Sequence, residues 1–172
     1  DSSPQLLLFY ILDGESYANS FQIQWDFEPI RRLETRLAYK FYDTKVDYES
    51  GAKQLPFTPK HRGFMNLGYS TIRSGNGSQW SFDTTLQWIG QQRLPGSMSN
   101  PTEFQWKEKP NDYFLLSAQI AKSFNRNLRV YIGGDNLLSY TQDDAIVDAQ
   151  HPFSNYFDGG MLYAPVMPAN FY

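Results

Sequence analysis

Polar and large apolar residues alternate along most of this chain. In residues 17–28 the odd positions are mostly aromatic or aliphatic, whereas Gln22, Gln24 and Asp26 occupy even positions. The same period of two continues in five further segments, at residues 33–48, 63–71, 80–92, 114–121 and 128–138. Successive side chains of a β-strand point to opposite faces, so this period predicts a series of two-faced strands. Residues 6–12 form a continuous apolar run, which we also expect to be a strand.

The connections between these predicted strands are alternately short and long. Short turns are expected at residues 29–32, 74–79 and 125–127, and long loops at residues 49–61, 93–112 and 139–168. In an up-and-down order of strands, the short connections then lie at one end of the sheet and the long ones at the other. Only the connection at residues 13–16 departs, because it is short but belongs to the long-loop end. Outer-membrane barrels have this asymmetry, with short periplasmic turns and longer extracellular loops.

Two predicted strands are longer than the strands of most globular proteins, which average about 5–6 residues. Trp80 and Trp88 lie on the same face of one of them, eight residues apart. At about 3.3 Å per residue and a tilt of about 45°, they are separated by roughly 19 Å of membrane depth. Tyr17 and Trp25 repeat this spacing. Membrane barrels carry aromatic residues at both interfaces, so these four residues are predicted to be membrane-interface aromatics.

The opposite face of the same strands is too polar for a dry core. Glu34, Arg36, Lys40, Asp83 and Gln87 all lie on it. In a soluble barrel or sandwich this face would meet solvent. In a membrane barrel it would meet a wet lumen or a plug, and we expect these five residues to be lumen- or plug-facing.

Composition narrows the classes of protein. The net charge is −3 and the pI about 5.3, so no basic field indicates a nucleic-acid partner. Cysteine is absent, which excludes a disulfide framework and a thiolate metal site. No run of about 18 apolar residues indicates a membrane helix. The sequence begins at Asp1 without Met, so we expect a processed or internal piece.

The segments LPFTPKHRG (residues 55–63), WIGQQRLP (residues 88–95) and VYIGGDNLLSY (residues 130–140) resemble segments of TonB-dependent outer-membrane receptors of the Bacteroidetes type. LPFTPKHRG, from Leu55 to Gly63, is similar to the family's entry from a loop into a strand. WIGQQRLP, from Trp88 to Pro95, is similar to an element that follows a barrel strand. VYIGGDNLLSY resembles a box on the penultimate strand, which Asn136, Leu137 and Tyr140 match and from which Leu138 and Ser139 depart. The resemblance covers roughly residues 10 to 172.

The resemblance implies an all-β fold, an antiparallel up-and-down transmembrane β-barrel segment. Family barrels have about 22 strands and a plugged lumen, whereas this chain holds seven strands and the start of an eighth at residues 170–172. Residues 1–172 would therefore be the C-terminal part of such a barrel, incomplete at both ends and without its plug. The implied partners are outer-membrane lipid, the rest of the barrel, the plug, the TonB complex through that plug, and in some relatives a surface lipoprotein.

Catalytic residues and cofactors are not indicated. Asp143, Asp144, Asp148 and His151 are weak candidates for a cation site, although an acidic solvated loop is the commoner interpretation. Aromatic and charged residues on long outer loops are candidates for ligand contact. They are Arg93, Phe104, Trp106, Tyr140, Phe153 and Tyr156.

The sequence therefore favours an outer-membrane receptor that takes up a metal chelate, vitamin or glycan with TonB-derived energy. Two alternatives stay open at this stage. One is a small complete outer-membrane barrel with a structural or adhesive role, and the other is a soluble β-barrel that binds an apolar ligand.

Overall fold

A single antiparallel sheet dominates the computed structural model, which describes residues 16–48 and 51–172. Its strands are β1 (Tyr17–Ile30), β2 (Leu33–Tyr48), β3 (Gly51–Lys53), β4 (His61–Ser70), β5 (Gln79–Ile89), β6 (Tyr113–Ser123), β7 (Arg129–Asp135) and β8 (Asn170–Phe171). The strand predicted at residues 6–12, and most of the connection at residues 13–16, lie outside the described residues. The all-β, antiparallel fold class is confirmed.

The strands follow one another across the sheet in the order β1-β2-β4-β5-β6-β7-β8. Neighbours in sequence are thus neighbours in space, as in an up-and-down meander. The short turns fall at residues 31–32, 71–78 and 124–128, and the long loops at residues 90–112 and 136–169. Among the described residues, no helix is long and apolar enough to cross a membrane.

The first long loop differs from the sequence prediction, because part of it is a strand. β2 continues past the end of its pairing with β4, and this extension pairs with the short strand β3, Val46 opposite Lys53. Gly51 opens β3 with a φ of +95°, a conformation that glycine adopts without steric cost. The result is a hairpin that extends beyond the rest of the sheet at the long-loop end.

Strand register arranges the large apolar residues in rows across one face. One row runs through Ile23, Tyr39, Gly63, Trp88 and Phe114. The next row holds Trp25, Leu37, Met65, Leu86 and Leu116. Side chains in cross-strand pairs contact one another directly. The two-residue period of each separate strand therefore combines into one continuous apolar face.

Polar residues form rows on the opposite face. Arg36 pairs with Asp26, and Asn66 donates through Nδ2 to Asp83 at 3.2 Å and to Thr85 Oγ1 at 3.0 Å. The five residues predicted to face a lumen or plug all lie on this face of β2 and β5. That this face borders a lumen or a plug stays a prediction.

The four predicted interface aromatics lie on the apolar face. Trp80 is next to a short turn, and its ring stacks on Phe82 at 6.2 Å between centroids, whereas Trp88 is at the other end of β5. Trp25 stacks on Phe27 at 4.4 Å, and the Tyr17 hydroxyl donates to Asp43 at 3.1 Å. Their position relative to a bilayer stays a prediction.

Burial is concentrated where the long loops meet the strand ends. Leu94 is 2% exposed, and Ile89 and Tyr113 are each 8% exposed. Both faces of the sheet are more open, since Trp25 on the apolar face is 62% exposed and the Arg36 side chain on the polar face is 55% exposed. The best-packed part of the described chain is therefore the end that carries the long loops, and the candidate site lies there.

Candidate functional site

The bases of the first two long loops run side by side. The Gly90 amide donates to the His61 carbonyl at 2.9 Å, and the Phe57 amide donates to the Arg93 carbonyl at 2.8 Å. A Cβ atom at Gly90 would lie 2.9 Å from the His61 carbonyl oxygen, so a larger residue would force the two segments apart. The two segments LPFTPKHRG and WIGQQRLP are thus structural partners.

Arg93 connects the loop segments at this junction through hydrogen bonds. It is 9% exposed, and its Nε donates to Glu108 Oε1 at 2.9 Å while Nη1 donates to the Gln54 carbonyl at 3.0 Å. Its guanidinium also lies 5.7 Å from the centre of the Tyr48 ring. The structure thus places Arg93 between loops, with its donors directed at the protein. Its contact with a ligand stays a prediction.

The asparagine of the penultimate-strand box closes the last loop at its neck. Asn136 Nδ2 donates to the carbonyls of Tyr140 at 2.7 Å and Met167 at 3.0 Å, and its Oδ1 accepts the Tyr140 amide at 3.1 Å. Its φ is +50°, in the left-handed region that asparagine tolerates better than most residues. The Leu137 amide donates to the Leu116 carbonyl at 2.8 Å, which ties the box to β6. The spacing of Asn136, Leu137 and Tyr140 therefore has a structural basis.

Buried amides hold the returning part of the last loop. Gln142 donates to the Met161 carbonyl at 2.7 Å and accepts the Tyr163 amide at 2.9 Å. Gln92 and the Tyr113 hydroxyl both donate to the Tyr163 carbonyl, at 3.2 and 2.9 Å. The sequence does not indicate these residues, because a single glutamine in a loop carries no periodic signal.

A cleft of about 580 Å³ opens between the second long loop and the last loop. This volume is within the range of about 300–1,000 Å³ usual for small-molecule sites. Its charged lining residues are Glu103, Lys107, Asp143, Asp144 and Asp148. The lining thus includes four acidic residues and one lysine, and the field in the cleft favours cationic or hydrogen-bond-donating groups.

Three of the six predicted ligand-contact residues, Phe104, Trp106 and Tyr140, line the cleft. Phe104 stacks on Tyr156 at 4.7 Å, and Trp106 Nε1 donates to the Pro95 carbonyl at 2.8 Å. Phe153 is fully exposed outside the lining. The cleft thus has an aromatic wall whose rings are held by neighbouring loop residues.

Two ionisable groups of the last loop have displaced pKa values. Hydrogen bonds from Ser154 and His151 lower the pKa of Asp148, whose side chain is 8% exposed. Burial, and then the proximity of Tyr140, raise the pKa of Tyr163 to about 12. Near neutral pH, Asp148 is therefore an anion and Tyr163 a neutral hydrogen-bonding group.

Of the four weak candidates for a cation site, the structure brings together Asp148 and His151, with Oδ1 and Nδ1 2.7 Å apart. Within residues 16–48 and 51–172, no three acidic, histidine or cysteine side chains are grouped so that they could hold a metal ion. The Asp148 carboxylate is directed instead toward its own loop.

A family model described as TonB dependent receptor-like, beta-barrel, matches residues 11–137, which are 127 of the 172 residues. The match ends at Leu137, inside the box that closes the neck of the last loop. None of the curated proteins compared with the chain matches it. None of the solved structures matches it either.

Proposed function

Because the chain belongs to the family of TonB-dependent receptor β-barrels, we propose that it is the C-terminal part of the barrel of an active transporter. Proteins of this family are outer-membrane transport proteins. In our proposal this one is of the Bacteroidetes type and takes up a scarce solute with energy delivered through TonB. The three segments that resemble that type support this assignment.

The edges of the sheet support the proposal that other strands complete the barrel. Within the described residues, β1 pairs only with β2, and β8 pairs only with β7. Lipid offers no hydrogen-bonding partner to a free strand edge, so a spanning sheet must close on itself. We propose that the rest of the barrel and a plug domain are supplied outside residues 1–172.

The observation that carries the transport proposal is the position of the cleft. The long loops meet at one end of a sheet with one apolar and one polar face, which is the extracellular end of an outer-membrane barrel. We propose that Phe104, Trp106 and Tyr140 contact the solute there, with Tyr156 supporting Phe104. Acidic and aromatic groups together suit a solute with hydroxyl or cationic groups and apolar faces, such as a glycan, a vitamin or a metal chelate.

This chain acts as a scaffold in the proposed cycle. Its apolar face would meet lipid, its polar face would line the lumen or contact the plug, and its loops would help select the solute. Opening of the lumen would depend on the plug and on TonB, and a surface lipoprotein over the loops would retain the solute.

Growth of the native bacterium on limiting nutrients tests this function. A strain lacking the gene should grow poorly when one glycan, one cobalamin or one iron chelate is the only supply, and loss of TonB should have the same effect. Asp144→Asn in the full-length protein should weaken uptake, because it removes one cleft charge at a φ of +48° that asparagine tolerates. Asp47→Asn, on the β2 extension and outside the cleft lining, is the matched control. Recovery of the protein in solution without detergent, or growth independent of TonB, would overturn the proposal.

A further inference from the structure

A groove crosses the apolar face at Gly63. It has a volume of about 400 Å³, and Tyr39 and Trp88 on the two adjoining strands border it. Its remaining lining comes from apolar residues, namely Ile23, Trp25, Leu37, Ala38, Phe64, Met65 and Leu86. Gly63 has no side chain, so the apolar surface is recessed between two aromatic walls. The shape and chemistry suit a hydrocarbon chain.

A polar pocket of about 430 Å³ adjoins the groove on the long-loop side. Trp88 lines both spaces, and its indole Nε1 donates to Asp112 at 2.9 Å. Lys60 and Lys109 line the pocket together with His61, Gln91 and Asp112. An elongated molecule could therefore lie with one part in the groove and the other in the pocket.

The two lysines of the pocket differ in their partners. Lys60 Nζ lies 3.4 Å from Asp43, but its side chain is 44% exposed and can still reach a ligand. In the part of the chain that the structure describes, no carboxylate lies within 4.0 Å of Lys109 Nζ. Asp112 is the carboxylate among the lining residues, and it accepts a hydrogen bond from the Trp88 indole. Within the described residues, Lys109 is thus the pocket lysine that has no carboxylate partner, whereas Lys60 is paired with Asp43.

We propose that the groove and the pocket together bind a membrane lipid with an anionic phosphate headgroup. One acyl chain lies in the groove over Gly63, and the phosphate lies between Lys60 and Lys109. Lysine is a common phosphate ligand, and a basic residue near a membrane surface strengthens attraction to anionic lipid. A zwitterionic lipid carries an ammonium group that the same lysines disfavour. This inference rests on the proposed membrane location of the apolar face.

Native mass spectrometry of the full-length protein tests the lipid site. The protein is purified in detergent containing dioleoyl-phosphatidylglycerol or dioleoyl-phosphatidylcholine, and the retained lipid is counted. We expect the anionic lipid to be retained several-fold more than the zwitterionic lipid. Lys109→Gln should reduce retention of the anionic lipid roughly fivefold. Lys60→Gln should act in the same direction. Gly63→Ala should reduce retention of both lipids, because it narrows the groove.

Lys122→Gln is the matched control, since Lys122 lies over Trp80 at 4.7 Å, at the other end of the sheet. It should leave retention unchanged. High salt should abolish the preference of the wild-type protein for the anionic lipid, a measurement that does not depend on the folding of any variant. Equal retention of both lipids by the wild-type protein, or an equal loss in Lys122→Gln and Lys109→Gln, would overturn the inference. If either result is obtained with a protein that needs detergent and supports TonB-dependent growth, only the lipid inference fails. The transport proposal then stands.

Discussion

The indole of Trp88 lies directly against the backbone of Gly63 on the neighbouring strand. A Cβ atom at residue 63 would be 3.3 Å from Trp88 Cε3 and 3.5 Å from Trp88 Cβ. The two residues are cross-strand partners, and the aromatic ring covers the backbone that the glycine leaves open. The same contact sets the depth of the groove.

Gly63→Ala tests this contact. The added methyl group must displace the Trp88 ring, so we expect the free energy of unfolding of the full-length protein to fall by about 1 kcal/mol. Gly68→Ala in the same strand is the control, because its Cβ would meet no atom closer than 3.6 Å. Denaturant unfolding in detergent, followed by tryptophan fluorescence, measures both variants. Equal stability of the two would contradict the contact.

A substitution at Thr35 is not expected to lower the free energy of unfolding. Thr35 lies on the apolar face and is 8% exposed, and its Oγ1 has no hydrogen-bond partner among the residues that the structure describes. We expect Thr35→Val to leave the free energy of unfolding unchanged or raise it by up to about 1 kcal/mol, because it removes an unpaired hydroxyl without changing shape.

Thr85→Val is the matched variant on the polar face. The Thr85 hydroxyl accepts a hydrogen bond from Asn66 at 3.0 Å, so this change should lower stability by about 1 kcal/mol. The same denaturant experiment compares the two threonines. A larger loss in Thr35→Val than in Thr85→Val would show that the two faces are wrongly assigned.

Asn136→Ala should open the last loop. It removes two donated hydrogen bonds and one accepted bond, and it places alanine at a positive φ, so local stability should fall by about 1–3 kcal/mol. Faster hydrogen exchange and proteolysis in residues 139–168 are the expected results. Asn136→Asp keeps the bond from the Tyr140 amide and tolerates the backbone conformation, so it should have an intermediate effect. Unchanged exchange in both variants would contradict the role of the side chain.

The last loop should also loosen in acid. Hydrogen bonds from Ser154 and His151 lower the pKa of Asp148 in the folded protein, so its carboxylate stabilises the fold above the unfolded pKa of about 4. That contribution is lost as the pH falls from there through the lower, folded pKa. Hydrogen exchange near residues 147–158 should therefore rise below about pH 4. In Asp148→Asn this increase should be absent, and its persistence would assign the effect to another group.

The sheet could be predicted from the sequence because period-two alternation is a local signal repeated in almost every strand. The hairpin formed by β3 and the extension of β2 could not be predicted. β3 has only three residues, and its formation depends on Gly51 and on the part of β2 that continues past β4. The contacts between loops could not be predicted from the sequence either. Nothing near Arg93 in sequence indicates Gln54 as its partner, because that hydrogen bond joins residues 39 positions apart.

The sequence indicated which types of residue line the candidate cleft but not how they are arranged. Aromatic and acidic residues on two long loops were visible in the sequence, but their convergence depends on the packing of one loop against another. Phe104 and Tyr156 illustrate this, since their stacking joins two loops that are separated in the chain by two strands, β6 and β7. Of the six aromatic and charged candidates, the structure separates those that line the cleft from those that support or lie outside it.

The neck formed by Asn136 and Met167 determines when the last loop loses its chain entropy. The two residues are 31 positions apart, and closing a loop of that length loses chain entropy that grows with its length. Because the neck is closed in the folded protein, that entropy is lost on folding rather than on contact with a solute. The cleft wall is thus preorganised, and more of the contact energy is available as affinity.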